Sequence, residues 1–282
     1  MAVIPLAQYE TVLQERLNAP MVWKEITNVN YTDVGIVKNP YLTDTTQSTG
    51  TRGTGYTSVA AATVDESLTI STYVYNATHI DDADMAQKTF SDFMAIADNM
   101  ATVLNEGMET AMLAEHAQWT NIDGVNLGLA AGNITVAISN IKQIIAAVKT
   151  AIRNAGGKDM AERKGIFIQW READFEKVEL LASSEGFNVA DDALKNGIKQ
   201  GFKYLGVEHY STSKNVATHV FAGVKGAMDT YVVKSTYGKV KQLINPVVGG
   251  AQISGIGLES RIDRAFKCWN KMTPIAFDVN VV

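Results

Sequence analysis

NVNYTDVGIVKNPYLTD (residues 28–44), TTQSTGTRGTGYTSVAAAT (45–63) and VDESLTISTYVYNATHI (64–80) follow one another without interruption. The first and third read as extended arms, and the second as a soft polar tip. The return arm alternates. Leu68, Ile70, Thr72 and Val74 fall on one side, and Thr69, Ser71, Tyr73 and Tyr75 on the other. β-Branched and aromatic residues dominate it, as strands prefer. No apolar layer nearby in sequence covers both faces of such a hairpin, and an isolated two-stranded ribbon is marginal in water. The excursion is therefore either disordered or completed by another copy of the chain, and the second choice points to a subunit of an assembly.

On either side the pattern turns helical. Leu6, Tyr9, Leu13 and Leu17 mark a short amphipathic helix, which Pro20 stops. After the excursion, Asp81, Asp82 and Asp84 open a long helix expected from Asp82 to Gln118. Its apolar stripe runs through Ala86, Phe90, Phe93, Ala97, Ala101, Leu104, Met108 and Ala111. At 1.5 Å per residue that rod is roughly 50 Å long, and Gly107 is a local cost of about 1 kcal/mol within it. A second helix is expected from Thr135 to Asn154, carried by Ile138, Ile141, Ile145, Val148 and Ile152 and closed by Gly156 and Gly157. Then come a strand (166–170), a helix (173–181), a strand (204–210), two strands around Gly223 and Gly226, and a closing strand (275–281).

The 282 residues carry a net charge of -5, with 46% hydrophobic residues, enough for a sizeable core and without the basic stripe of a phosphate-driven nucleic-acid binder. A single cysteine, Cys268, excludes an intramolecular disulfide framework and reads as a small buried hydrophobe. No apolar run approaches the ~20 residues of a membrane span. The first residues lack the basic-then-apolar pattern of a signal peptide. The chain reads as cytoplasmic, so the Asn-x-Thr matches at Asn76 and Asn133 read as chance.

Several groups invite a chemical reading. His79, Asp81, Asp82 and Asp84 offer oxygen ligands to a hard cation, but lack the glycine turn and distal Glu of a calcium loop. The three aspartates read better as a helix cap, complementing the positive dipole end. TGTRGTGYTS has its glycines spaced GxxGxG, neither the dinucleotide fingerprint nor a phosphate loop. It reads as a mobile tip in which Arg52, Gly53, Thr54, Gly55 and Tyr56 touch a neighbouring subunit. Ser211, Thr212 and Ser213 near His209 and His219 lack a nucleophile elbow and read as a polar loop. Glu115 and His116 read as a solvated face. Trp23, Trp119, Trp170 and Trp269 stand at element ends, as core or interface anchors.

The order of these elements carries more than any motif. An N-terminal arm, a two-stranded excursion and a long helix opening DDAD lead to GIFIQWREADFEKVELLASSEGF, then GFKYLGVEHYSTSKN, HVFAGVKGAMDTYVV and a returning C-terminal strand. This order resembles the tailed-bacteriophage major capsid proteins, whose Hong Kong 97-like fold encapsulin shells share. The resemblance spans essentially the whole chain. Relatives often have a proline where this chain has Trp170 or Arg171. It implies an α+β phage major-capsid fold: residues 1–30 as N-terminal arm, 31–80 as extended loop, 81–125 and 255–282 as peripheral domain with a spine helix, and 126–254 as axial domain.

The function implied is a non-enzymatic virion subunit that self-assembles into pentamers and hexamers around double-stranded DNA, which it holds without sequence-specific contact. Assembly is expected in the host cytoplasm, with no membrane, metal or other cofactor. The chain starts its arm almost at once, without the long charged extension of relatives that carry a fused assembly domain. A separate scaffolding protein is therefore expected, alongside a portal and decoration proteins. Some relatives weld subunits through a Lys–Asn isopeptide bond. The sequence has candidate lysines but does not place a Lys, an Asn and a carboxylate together, so it leaves such a bond open. The alternatives are an encapsulin-type compartment and a metal-dependent enzyme using Asp81, Asp82 and Asp84.

Overall fold

A computed structural model describes residues 6–18, 21–43, 52–53, 62–82, 90–185, 201–214, 218–248, 250–252 and 254–282. The strands in chain order are β1 (Asn28–Thr32), β2 (Ile36–Leu42), β3 (Thr63–Thr69), β4 (Thr72–Ile80), β5 (Thr120–Ile122), β6 (Ile166–Arg171), β7 (Gly201–Tyr204), β8 (Val207–Thr212), β9 (His219–Val224), β10 (Asp229–Val233), β11 (Val240–Ile244), β12 (Val247–Val248), β13 (Ala251–Gln252), β14 (Ile256–Lys267) and β15 (Ala276–Asn280).

The helix Leu6–Leu17 forms as its periodicity dictates. Tyr9, Leu13 and Leu17 recur every four residues and are buried. The helix packs along the long helix Phe90–Leu113. A second short helix, Val22–Ile26, sinks Trp23 and Ile26 into the same core. The long helix spans 24 described residues, about 36 Å, and continues as the 3-10 turn Ala114–Gln118. Its buried stripe includes Ala97, Ala101, Leu104, Met108 and Ala111. The start expected at Asp82 involves residues 83–89, which lie outside the described residues.

The excursion from 28 to 80 is not one hairpin. β1 leaves it to pair in parallel with β10, and β4 pairs antiparallel with β14 over nine residues from Ile80 to Thr72. Only β2 and β3 form the free ribbon. The return arm breaks at Ile70 and Ser71, where the Ile70 N–H donates to the Gly35 carbonyl at 2.8 Å. The single alternating face expected along it is therefore interrupted. In β4 the residues Val74, Thr78 and Ile80 turn inward, and Tyr73 and Tyr75 turn out.

Two larger sheets organise the rest. One runs β1-β10-β14-β11, with β4 on the other side of β14; the second runs β5-β15-β9-β6-β8-β7. The long helix lies against β4 and β14 of the first sheet. It also reaches the second, where Gln169 Nε2 of β6 donates to Glu109 Oε1 at 2.6 Å. β6 is buried on both faces through Phe167, Ile168, Gln169 and Trp170.

Three local expectations change. The helix expected from Thr135 begins at Ile141, because Asn140 folds the preceding segment into a turn. Its Oδ1 accepts from Ala137 N and its Nδ2 donates to Thr135 O. Ile138, expected on the apolar stripe, stands in solvent. The strand expected over 204–210 is the β7–β8 hairpin, turned at Leu205 and Gly206 with φ of 50° and 71°, the left-handed pair that tight hairpins require. The two strands around Gly223 and Gly226 belong to different sheets, β9 to the six-stranded one and β10 to the five-stranded one. The strand and helix at 166–184 stand where the sequence placed them, the helix running from Glu172 to Ser184.

Candidate functional site

The β2–β3 ribbon has two unlike faces. Val37 with Leu68, Asn39 with Glu66 and Tyr41 with Val64 face the body of the protein and are partly or fully covered. Ile36, Lys38, Pro40 and Leu42 oppose Thr69, Ser67, Asp65 and Thr63 on the other face, all exposed. Ile36 and Leu42 leave more than half of their surface in solvent, at 56% and 58%. Both strands are also edges among the described residues, where each pairs only with the other. Outward N–H and C=O groups on such edges are a template for another chain.

The middle of the ribbon is clasped to the body. Glu66 is buried, and its two carboxylate oxygens accept from the Asn270 N–H at 3.3 and 3.2 Å. Lys271 Nζ stands 5.4 Å over the Tyr41 ring, within cation–π reach. Between ribbon and body lies a cleft of about 340 Å³ bordered by Asn39, Tyr41, Glu66, Asp229, Trp269 and Lys271.

A second exposed feature adjoins it on the five-stranded sheet. Tyr73 and Tyr75 of β4 have rings 5.8 Å apart, and the Arg261 guanidinium lies 5.5 Å from the Tyr73 centroid. All three project from the outer face, since Tyr75 stands directly opposite Arg261 in the ladder.

Of the tip residues singled out from the sequence, Arg52 and Gly53 sit in an exposed turn, with Gly53 at φ 92°. Thr54, Gly55 and Tyr56 lie outside the described residues. Asp81 and Asp82 are exposed, and the Asp82 carboxylate accepts the Ser254 hydroxyl. Asp84 lies outside the described residues. His79, Asp81 and Asp82 do not converge on a common point among the described residues.

His209 and Cys268, two of the side chains weighed for catalysis, are held in the core. His209 is fully buried, accepting from Trp170 Nε1 at Nδ1 (2.9 Å), with Nε2 facing the Tyr204 carbonyl (3.2 Å). That pattern fixes a neutral ring with its proton on Nε2, and burial lowers its pKa to about 4. Cys268 is buried, with its thiol pushed up to about 12, so it is held as an unreactive thiol. All four tryptophans are buried, as anchors should be.

One constellation escaped the sequence reading. His116, taken for a solvated side chain, stacks on His219 with centroids 3.8 Å apart and planes at 18°. Both rings turn Nδ1 toward Asp278 Oδ2, at 2.6 Å from His219 and 3.9 Å from His116. Burial pushes the Asp278 carboxyl above its ordinary range, opposed by the hydrogen bond from His219 and the two imidazoles. Only the periodicity of β9 and β15 hinted at it, since His219 and Asp278 become same-face diagonal neighbours once Asp278 pairs with Phe221.

No protein-family model matches the chain, and no curated protein matches it in sequence. Solved structures do match. The chain is similar to the virus-like particle from Pyrococcus furiosus, with a TM-score of 0.60 and 11% identity, covering 99% of this chain and 100% of that one. It is similar to the mature capsid protein of bacteriophage PhiM1, with a TM-score of 0.60 and 12% identity over 93% of this chain and 87% of that one. It is also similar to the capsid of Myoviridae phage XM1, with a TM-score of 0.59 and 9% identity over 93% and 91%. At such identities the likeness is one of fold. The chain has the Hong Kong 97-like fold of phage major capsid proteins, α+β as its sequence led us to expect.

Proposed function

We propose that the chain is a shell subunit: the major capsid protein of a tailed phage, assembling as pentamers and hexamers into an icosahedral head around double-stranded DNA. The observation that carries this reading is the β2–β3 ribbon, which exposes two open edges and a face bearing Ile36 and Leu42 within a capsid fold. A neighbouring copy would supply the missing cover. At about 25 cal/mol per Å² of apolar area, modest contacts become decisive when repeated around a closed shell.

The five-stranded sheet with the long spine helix takes the peripheral role, and the six-stranded sheet the axial one. Residues 120–122 and 276–280, grouped from the sequence with the peripheral segments, sit in β5 and β15 of the six-stranded sheet, and β10 and β11, from the segment grouped as axial, sit in the five-stranded sheet. The reading is non-enzymatic. It brings a separate scaffolding protein, a portal and decoration proteins as partners, and places the protein in the virion after assembly in the host cytoplasm. No helix among the described residues is long and apolar enough to cross a membrane.

An encapsulin-type compartment is the second reading, favoured by the end-to-end match with the Pyrococcus furiosus particle. Electron microscopy of the purified chain tests both. Uniform round particles, tubes or rings are the expected result. A monomer that persists at high concentration, with the scaffold supplied, overturns both. The contents of particles isolated from the cells that make the chain separate the two, since nucleic acid favours the capsid and an enclosed enzyme the compartment.

A further inference from the structure

His116, His219 and Asp278 bring their donor atoms within 4.8 Å of one another. They come from three places: the 3-10 turn after the spine helix, the first residue of β9, and the middle of β15. Asp278 is 1% exposed, and its Oδ1 has no hydrogen-bond partner among the described residues. A buried carboxylate charge is costly, and a cation held at Oδ2 offsets it. The two imidazoles are partly exposed, at 30% and 23% of their side chains, so an ion has an entry path.

We propose that these three residues bind one borderline divalent ion, of the Zn²⁺ or Co²⁺ type. The donor set decides the class. Two imidazole nitrogens and one carboxylate suit Zn²⁺ and its neighbours, whereas Ca²⁺ and Mg²⁺ want all-oxygen shells. Donors on a tetrahedral ion, each at ~2.0–2.1 Å, stand about 3.3 Å apart. His219 Nδ1 and Asp278 Oδ2, now 2.6 Å apart, need to part by less than about 1 Å, His116 Nδ1 needs to close on Oδ2 from 3.9 Å, and one of the two stacked rings has to turn so that both in-plane lone pairs meet at the ion. His219 gives up its Nδ1 proton to solvent or to Nε2, and Oδ2 exchanges a hydrogen bond for a metal contact. Three protein ligands leave a position for water.

The place gives the ion a role. Gln118, in the same 3-10 turn, accepts from Cys268 N at 2.9 Å and donates to the Phe266 carbonyl at 3.3 Å, which fastens the turn to the end of β14. His219 and Asp278 belong to the six-stranded sheet. The ion therefore pins the joint between the two sheets. This inference does not rest on shell assembly.

The test uses the purified full chain. Equilibrium dialysis against Co²⁺ should load one ion per chain, with visible absorption of a low-symmetry His/carboxylate site, displaced by Zn²⁺ and not by excess Ca²⁺ or Mg²⁺. Zn²⁺ should raise the thermal midpoint by several degrees. His116→Ala, at a partly exposed ring, should reduce uptake at least tenfold and abolish the thermal shift, and His219→Ala should do the same. His79→Ala, which disables the acidic group at residues 79–84, should change neither. Failure of the wild-type chain to take up Co²⁺, uptake unchanged in His116→Ala, or uptake lost in His79→Ala would each overturn the proposal.

Discussion

His209 shows what a histidine does in this protein when it is packed in the core. Its neutral ring accepts from Trp170 and faces the Tyr204 carbonyl, and burial holds its pKa near 4 against 6.5 in the unfolded chain. Between those values the unfolded chain binds the proton and the folded one does not. Stability is therefore undiminished above pH 6.5 and falls as the pH drops toward 4. The spread is worth about 3 kcal/mol at most. Urea unfolding of the wild type and of His209→Gln across that window measures it. The wild type should lose more stability than the variant on acidification, and parallel curves would remove the histidine from the account. The sequence placed His209 beside a polar loop without revealing that Trp170, 39 residues away, claims its Nδ1. The same limit hid the cluster at His116, His219 and Asp278, since only the β9–β15 register brings two of them together.

Gly107 makes the same point in reverse. Helix propensity marks it as a local cost, but a Cβ there would meet Val74 Cγ1 at 2.4 Å, so the glycine lets β4 lie close on the spine helix. Elements with strong local periodicity were legible: the helix Leu6–Leu17, the spine stripe, and the strand and helix at 166–184. The pairings were not, because alternation says which face a residue takes and nothing about which strand lies beside it. Hence the arms at 28–80 read as one hairpin, when β1 and β4 are claimed by β10 and β14 and only β2 and β3 remain for the ribbon. Ile36→Asp and Leu42→Asp test that residual ribbon. In the single chain both side chains face solvent, so the unfolding free energy should move by no more than about 0.5 kcal/mol. Against a neighbour, each carboxylate would be desolvated without a partner, costing about 1–3 kcal/mol or more per contact. Sedimentation and electron microscopy should then find well-folded subunits and few closed particles. Normal particles from the double variant would show that the seam lies elsewhere.

A shell multiplies one weak contact by the number of its subunits, so the same ribbon should have two lives. In a dissociated subunit, the outward N–H groups of β2 and β3 have no strand beyond them among the described residues and should exchange with solvent on the timescale of an open edge. The amides that join the pair should be only slightly slower, since a two-stranded ribbon is marginal by itself. The Glu66 clasp to Asn270 holds the ribbon at its middle and leaves the exposed face untouched. In a closed particle the neighbour would cover that face, and exchange at 36–42 and 63–69 should slow by orders of magnitude. The strands β6, β9 and β14, already paired on both sides, should change little between the two states. Hydrogen exchange read by mass spectrometry on particles and on subunits released by dilution makes the comparison within one protein. Equal protection of the ribbon in both states would mean that the chain completes it alone, and the case for assembly through this surface would fall with it.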